Sequence, residues 1–199
     1  MSAASERYKL GRRLRAFEAA WEKSSPAAKK RALPTVQRSV FSFFAGQPSG
    51  AAAALDGARL ALKDKPVSAE EATVGTLTFD APRFLTPGSD ALEIVVDRFY
   101  GDRELPKGVT VELTLDGLDV GVAATTRAEV SSLPAKVSLK VRRPSRDGDA
   151  TLFARFSLNG KPVWVEEQTV SLFTQGRVTF LKAPNPLRSE ERRVGKECA

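Results

Sequence analysis

The sequence predicts an α+β protein in two parts, a helical segment over residues 1–67 and an antiparallel β arrangement over 68–187, and three observations carry this reading. Apolar residues in the first third recur at helical spacing. From Ala72 onward they alternate with period two, and Asn159-Gly160, Asp116-Gly117 and Asp147-Gly148 punctuate the alternating part with turns. With 199 residues, 42% apolar and 28% charged, the chain has globular composition and suits one ordinary domain or two small ones.

The first predicted helix places Leu10, Leu14, Phe17 and Trp21 on one face, at i, i+4, i+7 and i+11, with Arg12, Arg13, Arg15, Glu18 and Glu22 largely outside it. Ser24-Ser25-Pro26 supplies an N-cap followed by proline at the first helical position, which starts a second helix running to about Ala45. Val36, Val40 and Phe43/Phe44 share its apolar face, Gly46 ends it, and Pro34 predicts a kink or break near Ala32-Leu33. Beyond Gln47-Pro48-Ser49-Gly50, the Ala- and Leu-rich run 51–62 makes a third helix with Leu55, Ala58 and Leu62 on one side. Together these form a helical hairpin or three-helix subdomain. The polar stretch 63–71 marks the boundary.

After it, Val74, Thr76 and Thr78 alternate with Leu77 and Phe79, followed by Leu92/Ile94/Val96, Val109/Val111/Leu113/Leu115 and Leu118/Val120/Val122. Val137/Leu139/Val141, Leu152/Ala154/Phe156/Leu158, Val170/Leu172 and Val178/Phe180 complete the series. Seven or more short strands with one apolar face argue for an antiparallel sandwich. Asn159-Gly160 is the strongest hairpin signal, and Pro162 points to a following strand that starts late or lies at an edge.

Three resemblances follow from these residues. The β part resembles an immunoglobulin-like or fibronectin-type sandwich in architecture, with Trp164 as a core aromatic but without the cysteine pair of true immunoglobulin domains. Phe43-Phe44-Ala45-Gly46 with Ala54-Leu55-Asp56-Gly57-Ala58 resembles part of a tetratricopeptide-type hairpin, and a generic antiparallel helical hairpin fits the same residues. Helices carrying Arg31-Ala-Leu-Pro34, Phe43-Phe44-Ala-Gly46 and Leu55-Asp-Gly-Ala-Arg-Leu-Ala-Leu62, followed by such a sandwich, are similar to the regions that precede α/β-hydrolase domains in large bacterial serine hydrolases. That resemblance implies a catalytic domain beyond Leu187 and assigns no catalytic residue to this chain.

The last stretch, Arg188-Ser-Glu-Glu-Arg-Arg-Val-Gly-Lys-Glu-Cys198, resembles the in-frame translation of a sequencing adapter. On this reading 188–199 is an artefactual, disordered tail and the open reading frame is truncated, so the tail is set aside from fold reasoning. With it goes the single cysteine. No histidine exists anywhere in the chain, which removes Ser-His-Asp and Cys-His catalysis and Cys/His zinc sites from these residues. Neither Ser-x-x-Lys, a Gly-x-Ser-x-Gly elbow nor a phosphate-binding Gly-x-x-x-x-Gly-Lys loop occurs, so catalytic, cofactor-binding and metal residues are all expected to be absent.

The paired carboxylates read as structural. Glu166 and Glu167 are adjacent on a strand and point to opposite faces, where they cannot share a proton. Asp147-Gly-Asp149 and Asp116-Gly-Leu-Asp119 lack the full spacing of a calcium loop and serve as turns.

Net charge is +7, and it is uneven: residues 1–67 carry 13 Lys/Arg against 5 Asp/Glu, while 68–187 carry 14 against 16. Arg12, Arg13, Arg15, Lys29, Lys30 and Arg31 form a candidate basic interaction surface, either a solvated helix face or a phosphate-binding one. Lys29, Lys30 and Arg31 open the second helix, where the macrodipole disfavours positive charge, and this favours an acidic partner or neighbouring surface. Arg142-Arg143-Pro144-Ser145-Arg146 reads as an exposed loop.

The expected function is a non-catalytic binding or scaffolding module, a fragment of a larger bacterial protein that acts through a protein surface or a missing C-terminal domain. The accessory region of an α/β-hydrolase is the alternative, and a basic nucleic-acid-binding protein ranks third. Leading residues Met1-Ser-Ala-Ala-Ser-Glu-Arg-Tyr-Lys hold no apolar h-region, which reads as cytoplasmic unless a signal peptide was lost upstream, and no run is long enough to span a membrane.

Overall fold

The structure, a computed structural model, describes residues 3–63, 66–85, 89–117, 124–141 and 147–174. Within them the chain is α+β, with helices α1 (Ala3–Glu22), α2 (Pro26–Phe44), α3 (Pro48–Ala61) and α4 (Ala69–Val74) preceding eight strands. The strands are β1 (Leu77–Asp80), β2 (Phe84–Leu85), β3 (Ala91–Arg98), β4 (Val109–Asp116), β5 (Ala124–Glu129), β6 (Ala135–Lys140), β7 (Gly148–Leu158) and β8 (Lys161–Leu172).

Local chemistry explains the helix ends. Ser25 caps α2 by accepting a hydrogen bond from the Ala28 amide, with Pro26 at the first helical position where its missing N–H costs nothing. α2 then runs through Pro34 without the break that was one of the two outcomes expected there, a kink or a break. α3 is central to the helical layer. Its Ala51, Ala52, Leu55 and Ala58 pack with Leu10 and Phe17 of α1 and Ala28 and Ala32 of α2, small residues that let the helices approach closely. α4 is absent from the sequence reading, which carried Val74 into a strand. Ser68 and Glu71 form a capping box that nucleates the helix through Val74, and the strand begins only at Leu77.

The strands form two sheets, β1-β3-β6 and β2-β8-β7-β4-β5. All pairings are antiparallel except β2 with β8. Alternation sets the register: Val109, Val111, Leu113 and Leu115 of β4 face inward, as do Leu152, Ala154 and Phe156 of β7 and Leu92, Ile94 and Val96 of β3. These side chains join both sheets in one apolar core. The sheets curl about that core rather than stacking as an immunoglobulin-like sandwich, with β5 of the larger sheet lying beside β6 of the smaller.

β2 and β5 have no counterpart in the apolar alternation. β2 is two residues long, and β5 (Ala-Thr-Thr-Arg-Ala-Glu) is an edge strand whose inward positions, Ala124, Thr126 and Ala128, are only half-buried. The alternating positions Leu118, Val120, Val122, Val178 and Phe180, the basic loop 142–146 and the tail 188–199 lie outside the described residues.

The β7–β8 hairpin takes the geometry its sequence demands. Asn159 and Gly160 have φ of 50° and 79°, a two-residue turn matched to strand twist. β8 starts at Lys161 without delay, and Pro162 lies at a locally unpaired edge, because β2 pairs only with Ser171 and Leu172 at the far end of β8. Replacing Gly160 by alanine forces a side chain into this left-handed conformation and is expected to lower unfolding free energy by about 1–3 kcal/mol, read from urea denaturation.

Candidate functional site

The helical layer meets the larger sheet through a buried polar layer. β8 presents Trp164, Glu166, Gln168, Val170 and Leu172 on its inward face, so two polar residues interrupt an otherwise apolar row. α1 lies over that interruption and presents Lys9, Arg12 and Arg13, at i, i+3 and i+4 on one helical face. Each of the three is 1% exposed.

Arg12 donates through Nη1 to Gln168 Oε1 at 2.9 Å and through Nη2 to Thr78 Oγ1 at 3.1 Å, with Glu166 Oε2 at 3.3 Å. Its guanidinium lies over the Phe79 ring, 4.1 Å from the centroid. Arg13 donates to the carbonyls of Gly75 (2.8 Å), Thr76 (3.1 Å) and Leu77 (2.7 Å), pairs with Asp56 of α3, and has Nε 3.5 Å from Glu166 Oε1. Thr78 Oγ1 donates to Glu166 Oε2 at 2.9 Å, Gln168 Nε2 donates to the Ala81 carbonyl at 3.1 Å, and Lys9 pairs with Asp80 at 2.6 Å. Burial pulls the Arg12 guanidinium below its ordinary value, against the Glu166 carboxylate beside it.

This corrects the candidate basic surface. Arg12 and Arg13 are not on it: the apolar stripe of α1 covers the other helices, and the face beside it turns toward the polar interruption on β8 instead of water. Leu14, read as part of the stripe, is exposed in exchange. Arg15, Lys30 and Arg31 are exposed, and Lys29 is half-buried with its ammonium 5.8 Å from the Trp21 ring. Glu166 and Glu167 fall on opposite faces of β8, the first buried and the second exposed. Asp149 accepts from Ser171 Oγ at 2.6 Å, Asp147 from the Thr174 amide at 2.8 Å, and Asp116 from the Gly117 amide at 2.8 Å, so these carboxylates close turns and strand ends.

Two surface features flank the polar layer. The first is apolar. α2 buries only small residues, Ala28, Ala32 and Ser39, while Phe44 is 81% exposed, Phe41 76%, and Val40 and Leu33 about half. Of the face expected to be apolar, Val36 packs half-buried against the helical core, whereas Val40, Phe43 and Phe44 stay exposed. Leu33, Val40 and Phe44 recur at i, i+7 and i+11 as a second, outward stripe. Beside it, Leu10, Leu14, Val40, Phe43, Phe44 and Leu55 line a groove of about 350 Å³ between the helices.

The second feature is a cleft of about 340 Å³ where α3, α4 and the segment after β3 meet, lined among others by Asp56, Arg59, Thr73, Arg98, Tyr100 and Arg103. Tyr100 Oη donates to Asp56 Oδ2 at 2.7 Å. Burial, together with the Asp56 carboxylate, pushes the Tyr100 phenol well above its ordinary value. None of Asp56, Arg59, Thr78, Tyr100 or Gln168 stood out as a site residue in the sequence, and Glu166 read only as half of a structural carboxylate pair; the available signal was the polar pair at inward positions of β8.

No family model matches this chain, and no curated protein matches it. No described helix is long and apolar enough to cross a membrane.

Removing one partner of a buried ion network leaves the others uncompensated, so Glu166→Ala is expected to cost about 3–5 kcal/mol in urea unfolding. A second expectation concerns pH. Because the folded protein holds the Tyr100 proton more tightly than the unfolded chain, stability is retained below the ordinary phenol value near 10 and falls as pH rises above it. Urea midpoints compared at pH 9 and pH 11 should fall less in Tyr100→Phe than in the parent.

Proposed function

We propose that this chain is a non-catalytic binding module of a larger bacterial protein, and that it works by docking an acidic amphipathic helix of a partner protein along α2. The exposed aromatic stripe of α2 carries the reading. Large apolar side chains left in water on a regular helix, beside a groove, are the mark of a surface that is covered when it functions. Each such side chain contributes roughly 1.5–3 kcal/mol when fully buried.

Charge selects the occupant. From Lys23 to Leu55 the chain contains no acidic residue, and Lys29, Lys30, Arg31 and Arg38 stand on α2 itself. A second copy seated face to face would bring these cations together, whereas acidic flanks on a partner helix would meet them. The recessed groove suits side chains that anchor at i, i+3 and i+7 better than it suits a flat bilayer.

The test uses a helical peptide with a leucine face and glutamate flanks, its lysine-flanked counterpart, and vesicles containing phosphatidylserine. The acidic peptide is expected to bind at least about tenfold tighter than the basic one. The double variant Phe41→Ser/Phe44→Ser should lose that binding while its unfolding free energy stays within about 0.5 kcal/mol of the parent. Equal affinity for both peptides, or binding to vesicles alone, overturns the reading.

A second reading, favoured by the adapter-like stretch 188–198 and by helices preceding strands, makes the chain the accessory front of an α/β-hydrolase. The source gene read across both ends decides it. A Gly-x-Ser-x-Gly elbow with a later acid and histidine supports this role, and a stop soon after Leu187 removes it. On either reading the 199-residue chain turns over no generic ester.

A further inference from the structure

We propose that the cleft between α3, α4 and the segment after β3 binds a small organic anion, whose carboxylate or phosphate group sits against Arg59. Arg59 is only 9% exposed, yet among the described residues its guanidinium makes no hydrogen bond. Among the described residues the carboxylate within 4 Å of it is Asp56, with Oδ1 at 3.8 Å from Nε, beyond hydrogen-bonding distance. The other Asp56 oxygen is taken by Arg13 and Tyr100. Trp164 supports the guanidinium face at 4.0 Å and fixes its plane, but offers it no acceptor.

Charge points the same way. The polar layer between helices and sheets holds four buried cations, Lys9, Arg12, Arg13 and Arg59, against the buried carboxylates Asp56 and Glu166 and the half-exposed Asp80. Among the described residues the cations outnumber the carboxylates there by one, with Asp56 shared between Arg13 and Arg59. Arg12, Arg13 and Lys9 each have a carboxylate within 3.5 Å, so the deficit falls on Arg59, whose guanidinium burial already holds below its ordinary value.

The cleft is built to supply the missing anion. Arg98 lines it with a buried Nε that also lacks a hydrogen-bond partner, and Arg103 stands exposed at its rim. Thr73 and Thr76 line it as well, but both hydroxyls already donate to backbone carbonyls, which leaves the arginines as the donors available to an anion. Gly75 lies beside the guanidinium at the cleft wall. Asp102 on the rim limits the total charge the cleft tolerates, which favours one anionic group over a polyphosphate. At about 340 Å³ the space exceeds a bare oxyanion, and Ala53, Leu60 and Ala72 line it for a compact apolar body.

Calorimetry on the full chain at fixed ionic strength, with phenyl phosphate, benzoate, inorganic phosphate and neutral benzyl alcohol as probes, tests this. Saturable binding of phenyl phosphate or benzoate, with benzyl alcohol inert, is expected, and the tighter of the two names the head group. Arg98→Gln/Arg103→Gln should weaken that binding about tenfold without shifting the thermal midpoint. Arg59→Met should abolish it while keeping or raising the midpoint, because an unmatched buried charge is replaced by an apolar chain of similar length. Absence of binding by all three anions overturns the proposal, as does equal binding by parent and rim variant; should Arg59→Met fail to fold, the rim variant decides.

Discussion

The fold depends on one buried contact, the seating of Arg12 and Arg13 of α1 on Glu166, Thr78 and Gln168 beneath the helical layer. An ion pair taken out of water gains stability only when its remaining donors and acceptors are satisfied, and here backbone carbonyls at the entrance to β1 take most of the Arg13 donors. The consequence is positional. Arg13 reads the carbonyls of Gly75, Thr76 and Leu77, which only the turn from α4 into β1 presents together, so helix, turn and sheet are fixed in one register. An apolar interface of equal area would tolerate sliding; this one does not.

That contact also explains why part of the architecture was legible in the sequence and part was not. Periodicity recovered α1, α3 and the inward rows of β3, β4, β6 and β7, because those elements have one apolar face, and Ser25-Pro26 and Asn159-Gly160 located a cap and a turn by their own chemistry. It misplaced Arg12 and Arg13, since a hydrophobic pattern assigns every arginine to solvent. A one-dimensional reading has no means of knowing that a polar gap waits 156 residues away at Gln168. Glu166 and Gln168 at inward positions of an alternating strand were the visible trace of that gap, and reading them against Lys9, Arg12 and Arg13 at helical spacing would have joined the two. α4 and β5 failed for a simpler reason: six residues each, held by a capping box or an edge pairing, they carry little periodic signal.

Burial separates the residues that hold the fold from those that do not. On α2 the burial is done by alanines and a serine, leaving its phenylalanines in water, the inverse of what core selection produces. A helix so arranged is fixed by small residues that set distance, not by large ones that add buried area. Its aromatic stripe can therefore be altered without loosening α3, whose Ala51, Ala52 and Ala58 share one buried cluster with Ala28 and Ala32 of α2.

Arg59 stands at the opposite extreme. Burying a guanidinium without a hydrogen-bonded acceptor is unfavourable, and a leucine or methionine on Trp164 would fill the same volume without that cost. The stabilising layer does not need it: Asp56 is already neutralised by Arg13 and hydrogen-bonded by Tyr100. A buried cation without a hydrogen-bonded acceptor that lines a cleft with two further arginines is explained when an anion completes its shell, and the α2 stripe is explained when a helix covers it. The two features are unsatisfied in different ways, one lacking an acceptor and the other a dry neighbour, so each specifies the chemistry of what is missing.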